Sequence, residues 1–420
     1  MTCAEWNELF GKKPFLSLTE VERKYLGISQ ISSAWDSLVY YSKVNLWYTR
    51  TTVFFDGETI VKVISEMQGP ASEYWEYDTS LETNGCKTLV PSTSRGKPKP
   101  LTASNINAVL PYGISFVIRI NHSRFTDIGL TNPRAKRFFP IGEDETTRAI
   151  RCENDFHKFM DYYIGTCRDD YFEKLEAFKT AKKVTIKYKP GDIFRVEVDR
   201  THYAYGIITA KVRDLIKMPE FPREHSYYSF MMVPIMVRFY NLITEDPNLK
   251  YKDLSSIPLD RVDIVADNDI IWGRHTIVDH KILDEEDLDF GLMCMMAQKT
   301  ESQSQEIPCE EGTSSQNNKI LIVEWGFTRG EIDYDLISDN LKTFLKERIC
   351  PYRGVCLGIS PSREVNKNNF LISENREYLN EIFSHLGLSQ DATFDDFAVK
   401  FGGLTLRELA VRINRKYSRS

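Results

Sequence analysis

The feature that most restricts the fold is a series of short, strand-like segments separated by turns within residues 184–296. The segments are DIFRVEV, YAYGIITAK, MVPIMVRFYN, RVDIVA and HTIVDHKIL. Each is rich in β-branched and aromatic residues and is shorter than a typical helix. Five such segments predict a small, strongly bent β-sheet or a partly open barrel. Gly206, inside the second segment, predicts a bulge or a sharp bend in its strand.

Ionisable and aromatic residues decorate the first two of these segments. In DIFRVEVD, apolar residues alternate with Arg and acidic residues, so the two kinds occupy opposite faces of a strand. His202, Tyr203 and Tyr205 crowd the stretch that follows. A cluster of this kind fits either an active site or a surface to which another protein binds.

Residues 1–183 combine strand and helix signals. The Asp56-Gly57 pair lies between two β-branched runs and predicts a hairpin. The four residues from Ser17 to Glu20 form a capping-box pattern, which predicts the start of a helix that Gly27 ends. We therefore expect an N-terminal α+β domain of unassigned role.

A change of composition marks the other end of the central region. Residues 297–318 are rich in Ser, Gln and Glu with few large apolar groups, so we expect a flexible linker. Beyond it, KILIVEWGF predicts a strand, and apolar residues recur at helical spacing from Tyr334 to Phe344. Thr405 and Glu408 form the capping box of a last helix.

These signals together predict an α+β multidomain protein. Its parts are an N-terminal α+β domain (residues 1–183), a β-rich domain (184–296), the linker, and a small α/β or mainly helical domain (319–420). A chain of 420 residues is too long for one typical core, which agrees with two or three domains.

The charge of the chain is uneven. The net charge is −6, but residues 241–320 contain 17 Asp and Glu and 7 Lys and Arg. That region therefore carries −10 and the remainder +4. An acidic chain is not expected to bind nucleic acid generally. The acidic region would suit a basic partner, and the alternative is a solvated surface followed by an acidic linker.

The eight cysteines do not resemble a disulfide framework, because no CxxC pair occurs. Reduced thiols of a cytoplasmic protein are the expected state. The N-terminal sequence MTCAEWNELFGKKPFL lacks the pattern of a signal peptide. No apolar run approaches the roughly 20 residues that cross a bilayer, so we expect no association with membranes.

Few residues carry a pattern that metal binding requires. His275 and His280 are five apart, which on a strand points them to opposite faces. The sequence Asp267-Asn268-Asp269 resembles the start of a calcium loop but lacks the glycine and distal glutamate of that loop. We therefore predict no metal ligands.

Catalytic patterns are equally scarce. The run from Asp284 to Asp289 holds five acids in a predicted turn, where we expect solvated, ionised side chains rather than an acid and base pair. The sequence shows no nucleophile elbow, Walker loop or dinucleotide fingerprint. We predict no catalytic residue, no cofactor and no enzymatic activity.

The central region resembles the Immunity protein 26 family of bacterial polymorphic-toxin systems over residues 186–292. The resemblance lies in Gly191-Asp192 opening a strand, Tyr205-Gly206 in the next, Phe239-Tyr240 ending a third, and Trp272-Gly273-Arg274 before His280 and the acidic run. It implies a small β-rich domain that binds and neutralises a co-encoded toxin in the cytoplasm. The long extensions at both ends depart from the single small domain usual in that family.

A binding surface needs rigid aromatic and Arg anchors with complementary charge around them. The predicted partner-binding residues are Tyr203, Tyr205, Trp272, Arg274, Asp284, Glu285, Glu286, Asp287 and Asp289. Their acidic part would suit a basic toxin. The alternative is that Trp272 and Tyr205 are core residues of the sheet.

Two other functions remain open on the sequence. An enzyme would place His157 or His202 beside an Asp or Cys in a cleft between the N-terminal and central domains. A regulator would bind nucleic acid through the basic tail RINRKYSRS; complementing the helix dipole is the alternative use of those cations.

Overall fold

A computed structural model gives the architecture of the chain, and two compact units make it up, Met1–Thr185 and Ile186–Ser420. The structure describes residues 1–79, 88–100, 102, 105, 113–121, 126–142, 147, 150–229, 234–298, 319–348, 371 and 373–417. Most of the predicted linker at residues 297–318 lies outside the described residues. Helices and antiparallel sheets occur in both units, so the predicted α+β multidomain class is confirmed.

An eight-stranded antiparallel sheet forms the first unit, in the order β1-β2-β3-β4-β6-β7-β8 with β5 paired to β3. Its strands are β1 (Asp36–Val44), β2 (Trp47–Asp56), β3 (Thr59–Gln68), β4 (Ala71–Asp78), β5 (Thr88–Leu89), β6 (Ile114–Asn121), β7 (Thr126–Asn132) and β8 (Arg137–Gly142). The predicted hairpin is confirmed, because Asp56 pairs with Thr59 across a turn in which Gly57 has a φ of 58°.

Helices cover one face of this sheet. They are α1 (Cys3–Phe10), α2 (Glu20–Tyr25), α3 (Glu153–Gly165) and α4 (Tyr171–Lys179). Phe156 and Met160 of α3 and Leu175 of α4 are buried in one cluster with Phe116 of β6. Residues spaced by three or four lie on one side of a helix, and this stripe forms the main core of the unit.

The start of α2 differs from the prediction. Thr19, not Ser17, caps the helix: its backbone N donates to Oε2 of Glu22 at 2.7 Å, and its Oγ1 accepts from the N of Glu22 at 3.2 Å. Thr19 and Glu22 have the same capping-box spacing as Ser17 and Glu20, so the sequence offers two possible first residues for the helix. Gly27, with a φ of 63°, follows the end of the helix as predicted.

Buried charges connect α2 to the sheet. Lys62 of β3 and Glu76 of β4 are both fully buried, and Nζ of Lys62 lies 2.5 Å from Oε1 of Glu76. Arg23 of α2 donates to the same carboxylate, and Tyr74 donates to its other oxygen at 2.7 Å. Buried charges are tolerated where each is paired in this way.

The second unit begins with an open, five-stranded antiparallel sheet in the order β12-β11-β10-β9-β13. Its strands are β9 (Asp192–Glu197), β10 (Tyr203–Lys211), β11 (Pro234–Thr244), β12 (Asp263–Ala266) and β13 (Thr276–His280). Four of the five predicted segments contain one of these strands, and the third, MVPIMVRFYN, covers β11 except for its last three residues. The sheet does not close, so of the two predicted forms the structure shows the sheet and not the barrel.

The predicted irregularity at Gly206 is confirmed. The pairing of β10 with β11 shifts register between Ala204 and Gly206. A Cβ at Gly206 would lie 2.5 Å from Cζ of Phe194 and 3.1 Å from the backbone oxygen of Arg238. A side chain at this position would therefore force Phe194 or the backbone to move.

The rest of the second unit is a three-stranded sheet with helices. Its strands, in the order β14-β15-β16, are β14 (Leu292–Gln298), β15 (Lys319–Trp325) and β16 (Thr328–Asp333). The helices of the unit are α5 (Val212–Leu215), α6 (Tyr251–Leu254), α7 (Asn268–Ile271), α8 (Asp339–Arg348), α9 (Arg376–His385), α10 (Phe394–Lys400) and α11 (Leu406–Tyr417). Short 3-10 helices lie at Ser226–Ser229, Glu285–Asp287 and Ser373–Asn375.

Helix α8 begins later than the apolar residues at helical spacing had predicted. Tyr334 and Ile337 are buried but precede the helix, which begins at Asp339. Oγ of Ser338 accepts from the backbone N of Leu341 at 3.1 Å, so Ser338 supplies the cap. The capping box of Thr405 and Glu408 at the start of α11 is confirmed by the hydrogen bonds between them.

One hydrophobic cluster runs through most of the second unit. It contains Tyr205 and Ile207 of the five-stranded sheet together with Trp325, Phe383 and Leu409 of the C-terminal part. A smaller cluster covers the other face of the five-stranded sheet. The segments predicted as central and C-terminal domains therefore share a core, and the three-domain division stays a prediction.

Across the described ranges, no helix has both the length and the apolar character needed to cross a bilayer.

Candidate partner-binding site

The two tyrosines of the predicted surface lie in the core. Tyr203 and Tyr205 of β10 are 7 % and 0 % exposed. The Tyr205 hydroxyl donates to the backbone oxygen of Asp246 at 2.7 Å and accepts from the N of Leu249 at 3.2 Å. Tyr205 thus fixes the loop after β11 and offers a partner no surface, which agrees with the core alternative stated above.

Trp272 and Arg274 follow helix α7. Trp272 is half-buried, and Gly273 turns the chain with a φ of 68°. The Arg274 guanidinium lies 3.7 Å from the carboxylate of Asp269, and its side chain is 35 % exposed. These two residues stay partly accessible, and their contact with a partner stays a prediction.

The acidic run, Asp284 to Asp289, is called the acidic loop below. Asp284 caps the 3-10 helix Glu285–Asp287, because its Oδ1 accepts from the N of Glu286 at 3.0 Å and of Asp287 at 3.2 Å. Oδ2 of Asp289 accepts from the N of Val262 at 3.1 Å. The loop is therefore held in one shape by its own carboxylates.

Asp287 differs from the expectation that all five acids are solvated. It is 4 % exposed, and Nζ of Lys281 lies 2.7 Å from its Oδ2. Burial raises the pKa of Asp287, while the hydrogen bond from Lys281 opposes that shift. Burial also acts to raise the pKa of Asp284, but the bond from Lys281 and the backbone N–H groups outweigh it and lower that pKa.

Glu285 and Glu286 are the acids of the loop whose charges no described residue pairs. Their side chains are exposed, and neither carboxylate has a hydrogen bond or ion pair within the part of the chain that the structure describes. Asp289, by contrast, lies 3.3 Å from the Arg261 guanidinium. Two negative charges are therefore available on the surface of this loop.

The predicted binding residues do not form one patch. Ile270 of α7 packs into the cluster that holds Ala204 and Ile208, whereas Leu283 and Leu288 pack into the cluster that holds Tyr205. Residues 204 and 205 point to opposite faces of β10. Trp272 and Arg274 therefore lie toward one face of the sheet, and the acidic loop toward the other.

A groove of about 500 Å³ lies beside the acidic loop, within the second unit. From the loop, Glu285, Glu286 and Leu288 line it; from the C-terminal part, Trp325, Phe394 and Leu406 line it. Sequence reasoning missed the C-terminal lining residues, because nothing local in the sequence indicates that residues 35 or more positions apart meet.

Hydrogen bonds between the two parts position the groove. The Trp325 indole N–H donates to the backbone oxygen of Phe290 at 2.8 Å. The Asn414 side chain accepts from the N of Leu283 at 3.2 Å and donates to its oxygen at 2.7 Å. Within the central part, Arg238 donates to the backbone oxygens of Leu259, Asp260 and Glu286. These bonds set the position of the loop relative to α11 and β11.

The histidines of the enzyme alternative take part in local pairs. Nδ1 of His157 lies 2.6 Å from Glu22, which connects α3 to α2. Nδ1 of His202 lies 2.9 Å from Asp199 in an exposed turn. Neither residue lines the groove.

The histidines considered as metal ligands, His275 and His280, do not share a carboxylate. His275 lies near Asp269 and His280 near Asp192, on separate carboxylates. Among the described residues, no three His, Cys, Asp or Glu side chains form a group that could hold a metal ion. The described cysteines, Cys3, Cys152, Cys167 and Cys294, are free thiols.

Two cations of the basic tail are engaged by acids. The Arg412 guanidinium lies 2.6 Å from Glu220, and Nζ of Lys416 lies 2.6 Å from Asp214. The Tyr417 hydroxyl also donates to Asp214. This pairing attaches α11 to the segment after β10, so the structure gives no support to phosphate binding by these two residues.

Comparison with known proteins gives a match to a family model. No curated protein and no solved structure is similar enough to match the chain. Residues 189–303, just over a quarter of the chain, match the family model described as Immunity protein 26. The matched segment contains the five-stranded sheet and the acidic loop. The resemblance read from the motifs is therefore confirmed over this part of the chain: residues 189–303 are similar to the Immunity protein 26 family.

Proposed function

We propose that this chain is a cytoplasmic immunity protein that binds a cognate bacterial polymorphic toxin and neutralises it by covering its surface. The family match over residues 189–303 is the observation that carries the proposal. In this role the chain acts by binding and catalyses no reaction, and no cofactor is needed.

We further propose that the toxin is basic and contacts the chain at the acidic loop. The support is electrostatic: Glu285 and Glu286 are exposed, and they belong to a region, residues 241–320, with a net charge of −10. A fixed negative surface raises the rate at which a basic partner associates and orients its approach. Trp272 and Arg274 lie toward the other face of the sheet and stay proposed as further partner contacts, separate from the acidic loop.

Growth protection tests the proposed function. The chain and the secreted protein encoded beside its gene are expressed together in bacterial cells, and growth is compared with that of cells expressing the secreted protein alone. The proposal predicts restored growth and a complex that survives gel filtration. A toxic neighbour against which the chain gives neither protection nor a complex contradicts it.

A further inference from the structure

We propose that the groove beside the acidic loop binds a cationic, amphipathic segment of a protein partner, and that residues 319–420 complete this binding site. The inference rests on the proposed function, because it assigns a place for partner binding. It gives the C-terminal part, which lies outside the family match, a direct role in that binding.

The floor of the groove is apolar and consists of aromatic rings that contact one another. Phe290, Trp325 and Phe394 line it and are 1 %, 6 % and 7 % exposed. The Phe290 and Phe394 rings stack with centroids 5.4 Å apart, and Trp325 contacts Phe394 at 5.7 Å. A preformed pocket of packed aromatic rings is the kind of site that receives an apolar anchor side chain at an interface.

The rim of the groove has unpaired negative charge. Three arginines also line it. Arg261 pairs with Asp289, and Arg376 pairs with Asp391 at 3.2 Å. Arg238 donates to three backbone oxygens and keeps its positive charge, so one cation stands against two free carboxylates. Glu285 and Glu286 are the lining acids without a described partner. A segment with Lys or Arg beside an apolar side chain therefore complements both rim and floor.

Neither part of the chain builds this site alone. The family-matched segment supplies Glu285, Glu286, Leu288 and Phe290, whereas the opposite wall comes from residues after position 319. Asn414 of α11 holds Leu283, the residue before the acidic loop, through two hydrogen bonds. Removing residues 319–420 would therefore remove one wall and release the loop.

The test uses the full chain and a fluorescent synthetic helical peptide with Leu on one face and Lys on the other. A peptide with Glu in place of Lys is the control ligand. Binding is measured by fluorescence anisotropy. We expect the lysine peptide to bind, and the double variant E285K/E286K to weaken that binding about tenfold or more. Equal affinity for the two peptides would overturn the proposed charge preference.

Variants that fill the groove test its location. Ala392→Trp and Leu406→Trp place a large ring at two lining positions, and each should weaken the peptide about tenfold. Leu336→Trp, at an exposed leucine outside the lining, and Glu245→Lys, at an exposed acid elsewhere in the unit, are matched controls that should bind like the wild type. Thermal unfolding confirms that each variant is folded. Unchanged affinity in both filling variants overturns the inference.

The growth-protection assay, repeated with the groove-filling variants, distinguishes this inference from the proposed function. If the chain protects against its toxin and the filled variants protect equally, the groove assignment is wrong while the proposed function stands. If the chain gives no protection but the lysine peptide still binds in the groove, the proposed function fails and the ligand preference of the groove stands.

Discussion

At the scale of residues, the ionisable groups near the candidate site act mainly by holding segments in place. Lys281 forms ion pairs with Asp284 and Asp287, and Arg238 donates hydrogen bonds to three backbone oxygens. Buried or half-buried charges of this kind are costly when their partner is lost. They therefore explain how an acidic loop can keep one shape while two of its carboxylates remain available.

Lys281→Met should destabilise the protein by about 3 kcal/mol, because it leaves the buried Asp287 without its cation. Urea unfolding measures the change. Lys342→Met is the matched control: Lys342 pairs with the exposed Asp339 at 3.6 Å, so its loss should cost under about 1 kcal/mol. Equal decreases in the free energy of unfolding for the two variants would show that the buried Lys281 pair contributes no more than an exposed pair.

His225 should make the protein sensitive to acid. Burial lowers its pKa to about 4, against 6.5 for the ordinary side chain. As pH falls between these values, the unfolded state takes up a proton that the folded state does not, so the free energy of unfolding decreases by up to about 3 kcal/mol. His225→Gln should remove that part of the decrease in urea unfolding measured from pH 7 to pH 4.

Leu336→Gln, at an exposed leucine, changes no ionisable group, so it is the control for that experiment and should keep the pH dependence of the wild type. Glu324 lies 3.6 Å from His225, and burial raises its pKa. Stability from a raised acid pKa is lost as pH rises, which is the opposite direction, and Glu324 is present in all the proteins compared. A His225→Gln variant with the full wild-type pH dependence would contradict the assignment.

At the scale of elements, the strands of the central sheet were predictable because their signals are local. β-branched and aromatic residues between turn residues mark all five, and Gly206 marks the bulge in β10. Strand β14 was not predicted, because its sequence LMCMMAQ lacks both alternation and β-branched residues. It becomes a strand through pairing with β15, a partner that begins at residue 319.

Gly206→Ala tests the packing that the bulge requires. The added Cβ would lie 2.5 Å from the Phe194 ring, so Phe194 or the backbone must move, at a cost of about 1–3 kcal/mol. Thermal unfolding measures the loss. At Gly291 an added Cβ meets nothing within 4 Å, so Gly291→Ala is the matched control and should be close to neutral. Equal melting temperatures for the two variants would contradict the close packing.

At the scale of the whole molecule, the candidate site was only half predictable. The acidic loop was visible as five acids in six positions, but its position beside Trp325, Phe394 and Leu406 depends on contacts between distant residues. The sequence left open whether Tyr205 is a surface or a core residue, because alternation defines two faces of a strand but not which face is covered. Tyr205 is buried. In this unit both faces of the sheet are covered.

The shared core gives a prediction about folding. Residues 186–298 expressed alone should fail to fold cooperatively, because Leu283, Leu288 and Phe290 would lose Trp325, Phe394 and other partners in the C-terminal part. Residues 186–420 should unfold in one cooperative transition. Circular dichroism during urea unfolding distinguishes the two, and a cooperative transition in the shorter chain would instead support an independent central domain.

The central claim is that this protein neutralises its partner by binding. Titrating the purified toxin with the full chain, while the activity of the toxin is followed, tests the claim most directly. The account predicts that inhibition rises in proportion to the molar ratio, is complete once each toxin molecule is bound, and leaves the toxin chemically unchanged. Inactivation by a small fraction of an equivalent, with a covalently altered toxin, would contradict it and indicate an enzyme.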